Sequence, residues 1–197
     1  MKSANSTISF IINLTIAILT VVLTMGLFRE DGKWNVQRGK KAMRYFTLQS
    51  NLLCAAASVC MCIFPEKMWV YYLKIVGTAG VTVTMLTVFL FLARIYGIGP
   101  LLKGFDLFMH LLTPLMALAS LCIFERRETS LGAAFLGMLP VALYGPLYLY
   151  KVVFAPEGKG WEDFYGFNAG GKWKISYVIM HLGSALMCLA FYFVLNL

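Results

Sequence analysis

Long apolar runs alternate with short polar stretches along the whole chain. Six runs stand out, at roughly 7–28, 44–64, 72–96, 105–124, 131–154 and 175–196. A helix rises about 1.5 Å per residue and the hydrocarbon core of a bilayer is about 30 Å thick, so each run is long enough to cross a membrane. The pattern predicts an all-α fold: a polytopic membrane protein whose six transmembrane helices, numbered helix 1 to helix 6, form one bundle over residues 1–197.

The composition agrees with a membrane protein and excludes an ordinary soluble domain. Hydrophobic residues make up 60% of the chain and charged residues only 13%, whereas soluble domains carry about 25% charged residues. The first run is too long for the apolar core of a signal peptide and no A-x-A site follows it, so we expect it to be retained as a helix. Few residues lie outside the six runs. We therefore expect any activity to lie in or at the membrane.

The 17 basic residues predict an orientation rather than nucleic-acid binding, because they fall in alternating loops instead of on one face. Five belong to the side that carries both termini: Lys2, Lys67, Lys74, Arg126 and Arg127. The other twelve lie in or beside loops 1–2, 3–4 and 5–6: Arg29, Lys33, Arg38, Lys40, Lys41, Arg44, Arg94, Lys103, Lys151, Lys159, Lys172 and Lys174. The positive-inside rule predicts that these three loops are cytoplasmic and that both termini lie outside a cell (inner) membrane.

Polar and small residues recur at helical spacing along four of the predicted helices. The stripes are Thr47, Ser50, Asn51, Cys54 and Ser58 in helix 2; Gly77, Gly80, Thr84 and Thr87 in helix 3; Asp106, His110, Thr113 and Ala117 in helix 4; and Tyr177, His181, Ser184 and Cys188 in helix 6. Polar groups in hydrocarbon need partners, so these stripes are expected to face the bundle interior. Most of their small and hydroxyl residues are expected to serve helix packing.

Ionisable residues inside the membrane are expected to have a function rather than a packing role. A charge at a helix centre costs about 2.5–3.5 kcal/mol of insertion free energy and usually marks function. Only Asp106, His110 and His181 qualify, with Arg94 nearer a helix end. Thr47, His110 and His181 lie about 4.5, 9 and 10 Å in from the same side of the membrane. Arg94 and the pair Tyr144 and Tyr148 approach that level from the other direction. We predict a pocket that opens toward the cytoplasmic interface, with Asn51, Ser50, Tyr144, His181 and Arg94 as candidate substrate-binding residues.

Two neighbours give His110 a distinctive setting. Asp106 lies one turn earlier on the same helical face, where its carboxylate could orient the imidazole; alternatively, Asp106 simply complements the N-terminal end of helix 4. Pro114 lacks the amide that would donate to the carbonyl of His110. The helix is therefore predicted to loosen or kink beside His110.

The pattern RYFTLQSNLL in helix 2, followed by DLFMHLLTPLMAL in helix 4, resembles the androgen-induced gene and ADTRP family of integral membrane threonine hydrolases, in particular its short bacterial branch. The resemblance covers most of the chain in helix order. It implies a threonine nucleophile on an early helix and a histidine on a later one, here Thr47 and His110. It also implies hydrolysis of acyl esters in lipids, of the type found in fatty acid esters of hydroxy fatty acids. The segment GWEDFYGFNAGGKW matches nothing in the family pattern.

The implied chemistry is physically reasonable. A hydroxyl becomes an effective nucleophile when a base within hydrogen-bond reach takes its proton, and helices 2 and 4 could supply that pair. Asn51, Ser50, Tyr144 and His181 are candidate donors to an oxyanion. The expected substrate is a membrane lipid or fatty-acyl ester, and no cofactor or metal is expected.

Other functions compete with hydrolysis. An acyltransferase would use the same residues with a lipid hydroxyl in place of water. A transporter or channel would suit the intramembrane Asp106, although no inverted repeat or pair of broken helices is present in the sequence. A haem protein would use His110 and His181 as axial ligands, and a zinc hydrolase would need three ligands.

The loop over residues 155–174 is rich in aromatic residues, namely Trp161, Phe164, Tyr165, Phe167 and Trp173. Aromatic side chains gather at membrane interfaces, which accounts for them without a function. The alternative is a lid over the mouth of the pocket, with Gly166, Gly170 and Gly171 as flexible points.

Overall fold

The computed structural model describes residues 2–197, and their side chains from Ser6 onward. Over these residues, six helices are long and apolar enough to cross a membrane. They are α1 (Lys2–Leu27), α2 (Phe46–Ile63), α3 (Met68–Tyr96), α4 (Phe105–Phe124), α5 (Leu131–Phe154) and α6 (Trp173–Asn196). The predicted all-α membrane fold with six spanning helices is confirmed. Large side chains exposed on the spans, such as Leu143, Leu186 and Ile123, form an apolar outer surface.

The predicted helix bounds agree with the structure to within two residues except at the starts of α1 and α3, which begin five and four residues before the predicted positions 7 and 72. Lys67 has extended backbone and ends the preceding turn, and its carbonyl accepts the amides of Val70 and Tyr71. Lys74, which the prediction placed near the end of helix 3, therefore lies six residues into α3 and is buried rather than at the membrane surface. The predicted charge bias becomes stronger, because the side with the termini loses one of its five basic residues.

Three longer connections lie at one end of the bundle, which we call the long-loop end. The first contains the paired strands β1 (Arg29–Glu30) and β2 (Lys33–Trp34) and a short helix, Val36–Ala42. The second contains the short helix Ile98–Leu101, and the third is the loop 155–172, with a 3-10 turn at Ala169–Gly171. The connections 64–67 and 125–130 lie at the opposite end, the short-loop end.

Helix α3 lies at the centre of the bundle, in contact with α2, α4 and α5. It approaches α2 through glycines: a Cβ on Gly77 would lie 2.9 Å from the Cα of Cys54, and one on Gly80 would lie 3.2 Å from the Cβ of Ser50. The hydroxyls of Ser50 and Thr84 hydrogen-bond across the same contact at 2.8 Å. The packing role predicted for the small and hydroxyl residues of α3 is confirmed at these positions. Helix α1 packs on α2 and α4, and α6 packs mainly on α5.

Several spans contain wider π-helical turns, at Val88–Leu92 in α3, Phe108–Leu112 and Ser120–Phe124 in α4, and Tyr150–Phe154 in α5. The turn Phe108–Leu112 contains His110 and ends just before Pro114. Since proline has no amide to donate, the α-helical hydrogen bond to the carbonyl of His110 cannot form. The predicted loosening of the helix beside His110 is confirmed, and π-turns of this kind are frequent at functional sites.

A buried ion pair joins α3 and α4 near the short-loop end. Lys74 is 0% exposed and Glu125 is 7% exposed, and Lys74 Nζ lies 3.7 Å from Glu125 Oε2. The other carboxylate oxygen, Oε1, accepts the hydroxyls of Ser9 at 2.6 Å and Ser120 at 2.7 Å. The side chain of Asn13 links the pair, because it donates to Glu125 and accepts from Lys74.

The expectation that only Asp106, His110 and His181 are ionisable residues within the bundle was therefore incomplete. Lys74 was missed because a helix start at 72 put it near the helix end, among the basic residues counted for the orientation. Glu125 was missed because it lies one residue beyond the predicted end of its helix.

Candidate functional site

A cavity of about 330 Å³ lies between α3 and α6 at the long-loop end, and α2, α5 and the loop 155–172 complete its walls. Its lining is mostly apolar. The polar side chains in the wall come from all five elements: Thr47, Thr84, Thr87, Tyr144, Tyr148, Tyr165, Ser176 and Ser184. This cavity is the candidate site, because a concave, mostly apolar pocket with a few converging polar groups is the usual form of a small-molecule site.

Thr47 is half-buried in the first turn of α2 and lines the cavity. The residue before it, Phe46, donates its backbone N–H to Tyr165 Oη at 2.9 Å. Thr47 and Tyr165 line the cavity together at this point. The start of α2 and the loop 155–172 therefore meet beside Thr47.

Tyr165 is an uncharged phenol at neutral pH. Burial raises the pKa of Tyr165 to about 12, although the hydrogen bonds from the side chain of Thr47 and the backbone of Phe46 act in the opposite direction. Its oxygen already accepts the Phe46 N–H, so its own O–H proton is free to point toward a neighbouring acceptor. Tyr144 lies beside it and donates its hydroxyl to the carbonyl of Arg44 at 2.7 Å.

The loop 155–172 is held over the cavity by the carboxylate of Asp163. Asp163 Oδ1 accepts the Tyr148 hydroxyl at 3.0 Å and the Phe167 amide at 2.8 Å, and Oδ2 accepts the Asn168 amide at 2.7 Å. Rings of the loop pack around Tyr148, and the ring of Phe164 lies 4.3 Å from that of Tyr45. The aromatic segment therefore caps the cavity, which is where a lid would lie.

His110 is buried, and its Nδ1 lies 2.7 Å from the carbonyl oxygen of Leu101. A carbonyl can only accept, so Nδ1 carries a proton, and in the neutral ring Nε2 then has the lone pair. The ring is thus held in the tautomer that a general base requires. Asp106 is exposed and, among the described side chains, forms no hydrogen bond to His110. Leu101, rather than Asp106, fixes the imidazole.

Asn51 connects the two proposed catalytic residues through their backbones. Its Nδ2 donates to the carbonyl of Thr47 at 2.8 Å and to that of Met109, the residue before His110, at 3.2 Å. Thr47 and His110 therefore lie at the same end of the bundle, as predicted. His110 is not among the described residues that line the cavity, and no hydrogen bond between it and the Thr47 hydroxyl is formed within residues 6–197. Both amide protons of Asn51 are used, so neither is available to an oxyanion in this state.

The remaining predicted substrate-binding residues differ in whether they line the cavity. Tyr144 lines the cavity. Ser50 is buried against Thr84 and does not line the cavity. His181 is half-buried, places Nδ1 2.9 Å from the carbonyl of Tyr177, and packs its ring over Gly145. Arg94 is exposed and outside the cavity lining.

Sequence reasoning did not identify Tyr165 as part of the site. The segment GWEDFYGFNAGGKW stood out by its aromatic content, but nothing in its spacing shows which ring meets Thr47. The useful signal was the pair Tyr144 and Tyr148, one turn apart on α5. Both of these rings face the loop and the cavity.

Within residues 6–197, no group of three His, Cys, Asp or Glu side chains is placed to hold a metal ion. The two histidines lie on helices with different neighbours, since α4 packs on α1 and α3 while α6 packs mainly on α5. No family model, curated protein or solved structure matches the chain.

Proposed function

We propose that this protein is an integral membrane lipid hydrolase that cleaves acyl esters, of the kind found in fatty acid esters of hydroxy fatty acids. The observation that carries the proposal is the position of Thr47, on the wall of a mostly apolar cavity and beside the phenol of Tyr165. An acyl chain can occupy the apolar part while its ester group lies at Thr47. The resemblance of the segments around Thr47 and His110 to the androgen-induced gene family supports the same assignment.

In the proposed reaction, the Thr47 hydroxyl gives its proton to a base and its oxygen attacks the ester carbonyl. The C–O bond to the alcohol then breaks, the alcohol leaves with a proton, and an acyl ester remains on Thr47. Water attacks that ester, releases the fatty acid and restores the hydroxyl. The neutral Tyr165 phenol is suited to donate to the carbonyl oxygen while it carries negative charge.

His110 is the proposed base. Its Nδ1–H is held by Leu101, so Nε2 is the atom that accepts the proton. Proton transfer requires Nε2 to come within hydrogen-bond reach of the Thr47 hydroxyl, directly or through one water. Catalytic hydrogen bonds often shorten only when substrate is bound, and Asn51 already holds the two backbones together.

The proposed location is the cell membrane, with the long-loop end in the cytoplasm. Twelve basic residues lie in or beside the three connections of that end. Lys74 is buried in the bundle, so the short-loop end keeps only four basic residues: Lys2, Lys67, Arg126 and Arg127. Attaching a reporter enzyme to each loop tests this orientation.

Substitution of the nucleophile tests the proposed reaction. The purified protein is assayed against long-chain esters as wild type, Thr47→Ala and Thr47→Ser. Thr87→Ala is the matched control, because Thr87 is another threonine of the cavity wall. We expect Thr47→Ala to lose hydrolysis and Thr47→Ser to retain part of it, while Thr87→Ala stays active. Equal activity in Thr47→Ala and the wild type would remove Thr47 from the mechanism.

Two alternatives can be distinguished from hydrolysis. The buried pair of Lys74 and Glu125 favours a transporter, because intramembrane ion pairs often belong to ion or proton pathways. Flux in proteoliposomes that depends on Glu125 but not on Thr47 would support it. The apolar lining of the cavity favours an acyltransferase, which would pass the acyl group from Thr47 to a lipid alcohol instead of water. Analysis of the products in the presence of a long-chain alcohol distinguishes the two acyl reactions.

A further inference from the structure

Helices α3 and α6 are close together at the short-loop end and apart at the long-loop end. Near the short-loop end, Tyr71 and Ile75 of α3 belong to the same buried cluster as Phe191 and Leu195 of α6. Toward the long-loop end, the cavity lies between the segments 83–92 of α3 and 176–184 of α6. The two helices therefore enclose a wedge-shaped cleft that is widest near Thr47.

The mouth of this cleft lies on the outer surface of the bundle. Leu90 and Phe91 of α3 line the cavity yet are 50% and 45% exposed, and Ile179 of α6 lines it and is 46% exposed. Side chains that are both exposed and in the wall mark an opening. Ile179 lies six residues into α6, about 9 Å from its start, so the opening is at the depth of the hydrocarbon.

The side of the cavity toward the long loops is covered. Tyr165, Gly166 and Phe167 lie across it, and Asp163 anchors the segment through the amides of Phe167 and Asn168. The polar end of the cavity, with Thr47 and Tyr144, lies beneath this cover. The route from water is therefore closed in this state, whereas the route from lipid is open.

We propose that a long-chain ester enters laterally from the leaflet at the long-loop end, between α3 and α6, and lies with one acyl chain in the cleft and its ester at Thr47. This inference rests on the proposed function and adds the route and the class of substrate. A cavity of about 330 Å³ is at the small end of ligand pockets, which range from about 300 to 1,000 Å³, and suits one chain rather than the two of a phospholipid. No charged side chain is present among the described residues that line it, so the part of the substrate inside is uncharged.

Gly183 offers a way to close the cleft. It lines the cavity from α6, and a Cβ added there meets no heavy atom within 4 Å. A Cβ at this position is unobstructed, so a phenylalanine there is the designed block of the mouth. Gly132 is the matched control, because it is equally open to substitution but lies in the first turn of α5, at the short-loop end. Ile179→Trp is a second blocking variant should Gly183→Phe fail to fold.

The test uses the full chain in phosphatidylcholine vesicles that contain a palmitoyl ester with a photoreactive diazirine on its acyl chain. After irradiation, mass spectrometry locates the cross-links. We expect them on the buried cleft residues Thr84, Val141 and Ser184, which bulk lipid does not reach, in the wild type and in Thr47→Ala alike. They should be lost in Gly183→Phe and in Ile179→Trp, and retained in Gly132→Phe.

Cross-links confined to other surfaces, or unaffected by both blocking variants, would overturn the lateral route. Different results would overturn the hydrolase function and the lateral entry route. Cleft cross-links without any hydrolysis would leave the lipid site standing and remove the hydrolase. Hydrolysis that depends on Thr47 but is unchanged in the folded blocking variants would keep the hydrolase and remove the route.

Discussion

Lys74 Nζ lies 3.7 Å from Glu125 Oε2, and both side chains are buried between α1, α3 and α4. The pair is at the end of the bundle opposite to the cavity, so it takes no part in the proposed hydrolysis. Removing one partner leaves an uncompensated charge in an apolar interior, which typically costs about 3–5 kcal/mol.

We expect Lys74→Met and Glu125→Gln to lower the melting temperature of the purified protein strongly when made singly. The double variant should be less destabilised than the sum of the two, because neither charge is then left alone. Lys67→Met is the control, since this lysine is exposed at the start of the same helix. Additive losses in the double variant would show that the two charges do not interact.

The hydroxyl of Tyr165 is predicted to act in the reaction itself. Tyr165→Phe removes the group that lies against Thr47 and accepts the Phe46 amide. Loss of one oxyanion donor lowers kcat by about 10²–10³-fold, so we expect a fall in kcat of that order with little change in KM. Tyr96→Phe is the control, because the Tyr96 hydroxyl also bonds the loop, at the carbonyl of Phe164, but lies outside the cavity. Equal kinetics in the two variants would make Tyr165 a packing residue.

High pH should destabilise the protein through Tyr165. Its pKa is raised by burial from 10.0 to about 12, so the folded state holds the phenolic proton more tightly than the unfolded state. Stability from this source is fully present below about pH 10 and is lost as the pH rises toward about 12. Melting temperatures measured across this range should fall more steeply for the wild type than for Tyr165→Phe. Parallel curves would show that the phenol does not contribute.

His110 and Asp106 are predicted to differ in importance. His110→Ala removes the base and should lower kcat by about 10²–10⁴-fold. Asp106→Asn should have little effect, because the carbonyl of Leu101, and not Asp106, is the hydrogen-bond partner of Nδ1. Hydrolysis rates of the two variants check this. A loss in Asp106→Asn as large as that in His110→Ala would show that the carboxylate acts on the imidazole during turnover.

The six spans follow from local information, since the length of an apolar run decides whether a helix can cross a bilayer. The level of Thr47 and His110 also followed from their distance to the helix ends, and Pro114 indicated the wider turn in α4. The depth of Lys74 was underestimated because the start of α3 depends on the turn at Lys67, where the hydrophobicity pattern is weak.

The shape of the site depends on tertiary contacts that no local pattern contains. Tyr165 reaches Thr47 because Asp163 folds the loop back on itself through bonds to Tyr148 and Phe167. The cavity exists because α3 and α6 diverge, which is a property of how the two helices pack. Neither feature can be derived from the periodicity of a single segment.

The most direct measurement for the central claim is the location of covalent labelling by an acyl-hydrolase probe, such as a long-chain fluorophosphonate, by mass spectrometry of the digested protein. The account predicts one principal adduct, on Thr47, that is absent from Thr47→Ala and weaker in His110→Ala. Labelling on another residue, or equal labelling of the wild type and Thr47→Ala, would contradict it.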